Sequence, residues 1–90
     1  AVHTHTTYGR AFATARAWLL APINQEACLF YENHVVFRGD IVVLATDEGA
    51  YIAQTMGECK AAILLNHGLL TVRSSVDSAV YRFIAMERCA

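Results

Sequence analysis

Hydrophobic and polar positions follow a period of two at the start of the chain and a period near 3.6 soon after. Ala1-Val2-His3-Thr4-His5 alternates, and Val2, Thr4, Thr6 and Thr7 favour extended backbone, so a short strand is expected there. Tyr8, Ala11, Phe12, Ala15, Trp18 and Leu19 then recur at the spacing of an amphipathic helix. Thr6 or Thr7 is its expected N-cap, and Pro22 is expected to stop it at about Leu20. From Ile23 to Asn33 no period holds. A short or irregular helical segment around Ala27, Cys28, Leu29 and Phe30 is expected to lead to a strand at Val35 to Phe37, with His34 a surface turn residue. Arg38-Gly39-Asp40 reads as a turn rather than an adhesion signal, and Ile41 to Ala45 as a further strand.

The second half repeats the alternation. Thr46-Asp47-Glu48 opens a helix with acidic groups at the positive end of its dipole. Ile52, Ala53 and Met56 are its expected buried stripe and Gly57 its stop. Ala61 to Leu65 is a continuous apolar run, which suits a strand covered on both faces. Asn66-His67-Gly68 interrupts it, and Leu69 to Val72 resumes as a strand. Ser74-Ser75-Val76-Asp77 resembles a capping box, followed by Val76, Ala79, Val80, Phe83 and Ile84 at helical spacing. Strands alternating with helices predict a layered α/β domain.

Composition changes this picture in one respect. Of the 90 residues 56% are hydrophobic and only 17% charged, against roughly 25% charged in an average domain. So apolar a chain of this length is expected to be covered by more protein. It reads as a single partial domain, residues 1–90, within a larger one, packed in a homo-oligomer. The net charge of −1, with seven basic and eight acidic residues interspersed, offers no basic stripe for nucleic acid. No apolar run approaches the roughly 20 residues of a membrane span. Cys28, Cys59 and Cys89 are scattered and odd in number, which reads as reduced, buried thiols in a cytoplasmic protein.

Two features break the apolar pattern. On a strand, positions two apart lie on one face, so His3 and His5 would aim at the same point. His67 would stand at the end of a buried strand, beside a glycine that permits close backbone approach. Each motif alone also fits a plain surface face or a hydrogen-bonded strand end. Together, three imidazoles from two strand ends can supply three nitrogen ligands to a divalent ion and leave a fourth position open, the arrangement of a catalytic rather than a structural site.

Val2-His3-Thr4-His5, followed by Leu64-Leu65-Asn66-His67-Gly68-Leu69-Leu70-Thr71-Val72 and a capped helix, resembles the class II aldolase/adducin superfamily. Asn24-Gln25-Glu26-Ala27-Cys28 and Phe30-Tyr31-Glu32 resemble its adducin-like branch. The resemblance covers nearly the whole chain and implies an αβα fold, usually a tetramer with active sites at subunit boundaries. It implies that His3, His5 and His67 hold Zn²⁺, with Fe²⁺ or Mn²⁺ as alternatives. The implied activity is retro-aldol cleavage of a small hydroxylated carbonyl or sugar phosphate substrate, in which the metal chelates the substrate oxygens and stabilises the enediolate. A carboxylate must also move protons. In the family one such acid lies upstream of the His-x-His pair, and Glu26 is the nearest candidate within this chain, with Tyr31 the weaker one. Where many relatives carry glycine after the Asn-His-Gly stretch this chain has Arg73, which bears on the turn and the substrate rim. Epimerisation, iron-dependent oxygenation on the same three histidines, or a non-catalytic adducin-like assembly role are the competing expectations.

Overall fold

The computed structural model describes residues 1–15, 19–38 and 46–90. Along it run β1 (Val2–Thr4), α1 (Thr7–Thr14), a 3₁₀ turn (Ala27–Phe30), β2 (His34–Phe37), α2 (Thr46–Met56), β3 (Ala61–Leu64), β4 (Gly68–Thr71) and α3 (Val76–Cys89). Trp18, the Ile41 to Ala45 strand and the Gly39-Asp40 part of the expected turn lie outside the described residues.

The four strands form one mixed sheet in the order β1-β4-β3-β2. β2 and β3 are parallel, whereas β1–β4 and β3–β4 are antiparallel. β3 is central, and all four of its residues are buried, as its unbroken apolar run requires. Alternation along the strands divides the core. Ala61, Ile63 and Leu69 pack with Phe83 and Met86 of α3 and with Ala13 of α1. Ala62, Leu64 and Leu70 pack with Ile52 and Met56 of α2. Helices thus cover both faces of the sheet, an α/β fold in three layers.

α1 turns a face to the sheet that periodicity does not single out, and α3 buries only Ala79 and Phe83 of its expected stripe. α1 buries Gly9 and Ala13, while Tyr8 and Leu19 are exposed. The cause is closeness: a Cβ on Gly9 would sit 2.6 Å from Leu69 Cδ1, so only the glycine face lets the helix reach β4. α1 also ends at Thr14 rather than near Leu20, its Ala13 carbonyl taken by the Asn66 amide at 3.0 Å. α3 buries Ala79, Phe83 and Met86 and leaves Val76, Val80 and Ile84 exposed. Apolar residues lie all round this helix, so the 3.6 period cannot choose among its faces. Its cap sits at Ser75, and the Asp77 carboxyl, hydrogen-bonded first by the Ser75 side chain, is held below its ordinary pKa. Within α2, Ile52 and Met56 are buried as expected and Ala53 is exposed. Gly57 follows at φ +51°, the left-handed stop that the sequence suggests.

Two other expectations are corrected. The cysteines are free, but Cys28 is exposed and Cys59 and Cys89 are half-buried. Cys28 lies on the outward side of a turn only four residues long, which has room to bury just Ala27 and Phe30. His34 is no surface turn residue: it is buried as the first residue of β2. Its Nε2 accepts the Leu20 amide at 2.8 Å, and its Nδ1 donates to the Phe30 carbonyl at 2.5 Å. Both ring nitrogens are used by the neutral tautomer, and a proton on Nε2 would abolish the first bond.

Burial lowers the pKa of His34 from its ordinary 6.5, more than the bond to Phe30 raises it. The unfolded chain therefore binds this proton at a higher pH than the folded one. His34's contribution to stability is fully present above pH 6.5 and is lost as pH falls below that value. Thermal midpoints measured between pH 7.5 and 5.5 should fall more steeply for the parent protein than for His34→Gln, which cannot titrate. Parallel profiles would contradict the assignment.

Candidate metal centre

β1 is three residues long, yet its register is defined: Val2 pairs with Thr71, His3 with Leu70 and Thr4 with Leu69. Paired residues share a face, so His3 projects to the α2 side with Leu70, and His5, two positions on, follows it. On the neighbouring hairpin Leu64 pairs with Gly68, which leaves Leu65, Asn66 and His67 as the loop. Asn66 takes a left-handed φ of 60°, a conformation asparagine tolerates. Gly68 is tightly enclosed. A Cβ there would lie 3.0 Å from the Thr4 carbonyl oxygen and 3.6 and 3.7 Å from ring atoms of His3 and His5.

The three imidazoles converge. Ring centroids are 5.2 Å apart for His3 and His5, 4.8 Å for His3 and His67, and 4.5 Å for His5 and His67. One ring nitrogen from each lies within 4.8 Å of the others. His3 Nδ1 donates to the Leu69 carbonyl at 2.7 Å, so the neutral ring presents its Nε2 lone pair, and that atom is 3.1 Å from His67 Nε2. Two nitrogens on a tetrahedral ion with bonds of about 2.0 Å stand about 3.3 Å apart. A ring whose second nitrogen is held by a backbone carbonyl is also the usual setting of a histidine ligand. The donor set therefore fits a divalent cation.

These rings line a cavity of about 810 Å³ between α2 and the sheet. Ile52, Met56, Leu64 and Leu70 supply its apolar lining, and Arg10 and Asn66 line it together with the histidines. Glu26 is not among its lining residues. It is half-buried and lies 3.0 Å from the Arg88 guanidinium, in an ion pair at the far end of α3. Tyr31 is exposed and also absent from the lining.

One positioning residue has no local sequence signal. The Glu87 carboxylate accepts the amides of Tyr8 at 3.0 Å and Gly9 at 2.6 Å, and the Thr6 hydroxyl at 2.5 Å. It does for the start of α1 what a cap residue does elsewhere: it satisfies orphan amides with a negative charge at the positive end of the dipole. The Thr6 hydroxyl, expected to cap, instead reinforces that acceptor. The turn immediately after His5 is thereby fastened to α3. Arg10 is likewise indistinguishable in sequence from any polar-face arginine.

Residues 1–90 match the family described as Class II Aldolase and Adducin N-terminal domain. The chain belongs to the class II aldolase and adducin family. It is 45% identical over 89 residues to Decarboxylase NovR of Streptomyces niveus, covering 98% of this chain and 33% of that protein. It is also 45% identical over 89 residues to the 4-hydroxy-3-prenylphenylpyruvate oxygenase/4-hydroxy-3-prenylbenzoate synthase of Streptomyces roseochromogenus subsp. oscitans, covering 98% and 32% respectively. Among solved structures, L-fuculose 1-phosphate aldolase from Glaciozyma antarctica PI12 superposes with a TM-score of 0.82 at 38% identity, over 97% of this chain and 31% of that one. The chain thus spans about a third of the length of these class II aldolase relatives. Among the described residues no helix is long and apolar enough to cross a membrane.

Replacing Glu87 by Gln leaves one acceptor where three donors converge and turns an amide group toward backbone N–H. The lost charge-assisted bonds should cost about 1.5–3 kcal/mol of stability, read by chemical denaturation against the parent. An unchanged midpoint and slope would show that the clasp contributes nothing.

Proposed function

We propose that the three imidazoles hold a divalent cation, zinc first, in an enzyme that breaks a carbon–carbon bond beside a carbonyl group of a small molecule. The observation that carries this is the meeting of His3, His5 and His67, from two separate motifs, within 4.8 Å. A bound ion supplies a Lewis acid that draws electron density from a substrate oxygen. The chain's own residues set the rest. Three neutral donors leave the ion its full charge, the Leu69 carbonyl fixes the tautomer of His3, and Arg10 adds a positive charge to the lining of the same cavity.

Retro-aldol cleavage is the first reading, supported by the likeness to the fuculose-phosphate aldolase. A second is favoured by the two relatives named as a decarboxylase and an oxygenase/synthase: cleavage with loss of a carboxyl group or with dioxygen, for which three imidazoles suit Fe²⁺. Both readings use the same ligands. Zinc-supported turnover without oxygen distinguishes the first from an oxygen- and iron-dependent second. Glu26, paired with Arg88 within the chain, is carried forward as a proton-transfer group acting across a subunit boundary in a homo-oligomer.

Metal analysis of the whole protein tests the ligand set. His67→Ala should lose bound zinc while keeping the parent's oligomeric state, and a variant that retains stoichiometric zinc would contradict the assignment. Glu26→Gln should lower kcat tenfold or more with metal content unchanged, an ordinary size for one acid–base group at the low end of about 10²–10⁴. Turnover equal to the parent would leave Glu26 as the ion-pair partner of Arg88 and nothing more.

A further inference from the structure

His3 is held twice, by its ladder pairing with Leu70 and by the bond from its Nδ1 to the Leu69 carbonyl. His5 stands one residue past the end of β1, outside that ladder. Next in the chain comes the clasp, in which the Glu87 carboxylate accepts the Thr6 hydroxyl and the amides of Tyr8 and Gly9. We infer that Glu87 is a positioning residue for the metal centre: through Thr6 and the first turn of α1 it fixes where His5 meets His3 and His67. This step rests on the metal-centre reading above and adds to it a residue from outside the cavity lining.

Three features of the geometry carry it. The first is adjacency. Thr6 follows His5 directly, and besides its hydroxyl bond to Glu87 its carbonyl accepts the Arg10 amide at 3.0 Å. His5 thus has the ladder of β1 on one side and an anchored residue on the other. The second is the far end of the same helix. The Ala13 carbonyl accepts the amide of Asn66 at 3.0 Å, and Asn66 immediately precedes His67. One helix of eight residues therefore runs between the segments of two ligands. A displacement at its start alters the relation of His5 to His67, whose ring centroids are 4.5 Å apart. The third is the lack of slack. Gly9, itself held by the clasp, is buried, and a Cβ there would lie 2.6 Å from Leu69 Cδ1. Leu69 is the residue whose carbonyl holds His3. Coordination tolerates errors of only about 0.2 Å in donor distance, so a carboxylate that fixes the start of α1 acts on the ion without touching a ligand.

The test uses the whole protein. Zinc affinity is measured by competition with a chromophoric chelator, and the visible bands of the Co²⁺-loaded protein report the arrangement of its ligands. Glu87→Gln should weaken zinc about tenfold, the low end of the 10–100-fold range for groups that orient metal ligands, and should shift the cobalt bands. Thr6→Val keeps the charge of Glu87 and removes one of its three donors, so it should weaken zinc about threefold, as the loss of a single hydrogen bond implies. This milder variant carries the test if Glu87→Gln does not fold. Phe30→Leu, a core substitution in the 3₁₀ turn, destabilises the fold without touching the clasp and should leave affinity and bands as in the parent. Parental affinity and bands in Glu87→Gln would overturn the inference. So would an equal loss in Phe30→Leu, which would reduce the effect to global stability. Parental affinity in Thr6→Val would overturn it too, since any effect of Glu87→Gln would then belong to charge alone. Parent protein that takes up neither ion would sink the metal-centre reading and this inference with it.

Discussion

The pairing of a three-residue strand with its neighbour is the constraint on which the site depends. β1 contributes Val2, His3 and Thr4 to the edge of the sheet, and that short ladder brings the amino-terminal histidines to the hairpin loop that carries His67. Because side chains alternate strictly along a strand, a shift of one residue against β4 would turn His3 and His5 to the α3 side and leave His67 without neighbours of its kind. A ladder this short holds little energy of its own. The bond from His3 Nδ1 to the Leu69 carbonyl ties the side chain to the strand it faces, so the same contact secures register and sets the ring's tautomer.

The rest of the register is held from outside the sheet. α1 follows His5 directly and is anchored at both ends: the Glu87 carboxylate receives its first amides, and the Asn66 amide donates to its Ala13 carbonyl. The second anchor belongs to the loop that carries His67. The helix therefore links the two histidine-bearing segments mechanically, and the bare backbone of Gly9 against Leu69 keeps it near enough to do so. Further along, the buried Thr71 hydroxyl donates to the Ala79 carbonyl at 2.9 Å, locking β4 to α3 and hence to Glu87. Helix, sheet and hairpin loop thus form a closed circuit that holds the two histidine-bearing segments from the face of the sheet opposite α2.

The legible parts of this arrangement are those with a local cause. The period of two placed His3 and His5 on one face, and the unbroken run at Ala61 to Leu64 marked the central strand. Gly57 and Asn66-His67-Gly68 are backbone signals, and each falls where a turn or stop occurs. The face of α2 was legible in Ile52 and Met56, but those of α1 and α3 were legible only in part, because a chain this rich in apolar residues offers several stripes and only tertiary contact selects one. α3 turned its small residue Ala79 inward and left Val76, Val80 and Ile84 outside, while α1 was oriented by the absence of a side chain. His34 shows the opposite limit. Its burial depends on the Phe30 carbonyl and the Leu20 amide, groups whose positions no local pattern discloses. Glu87 escaped for the same reason, since its partners lie about 80 residues away in sequence.

The chemistry divides along the same line. On the proposed reading, the described residues supply the setting of an electrophile: neutral nitrogen donors, the Arg10 cation in the lining and apolar walls that strengthen any charge–dipole interaction by excluding water. They place no carboxylate in the lining of the cavity. A retro-aldol or decarboxylating step also needs a group that takes and returns a proton, and imidazoles committed to an ion cannot serve. On that reading the proton-transfer group is one that the described lining does not contain. An electrophile fixed by one segment and a base brought by another would let a single metal site serve different reactions. The relatives' names, an aldolase, a decarboxylase and an oxygenase/synthase, are what such a division of labour would produce.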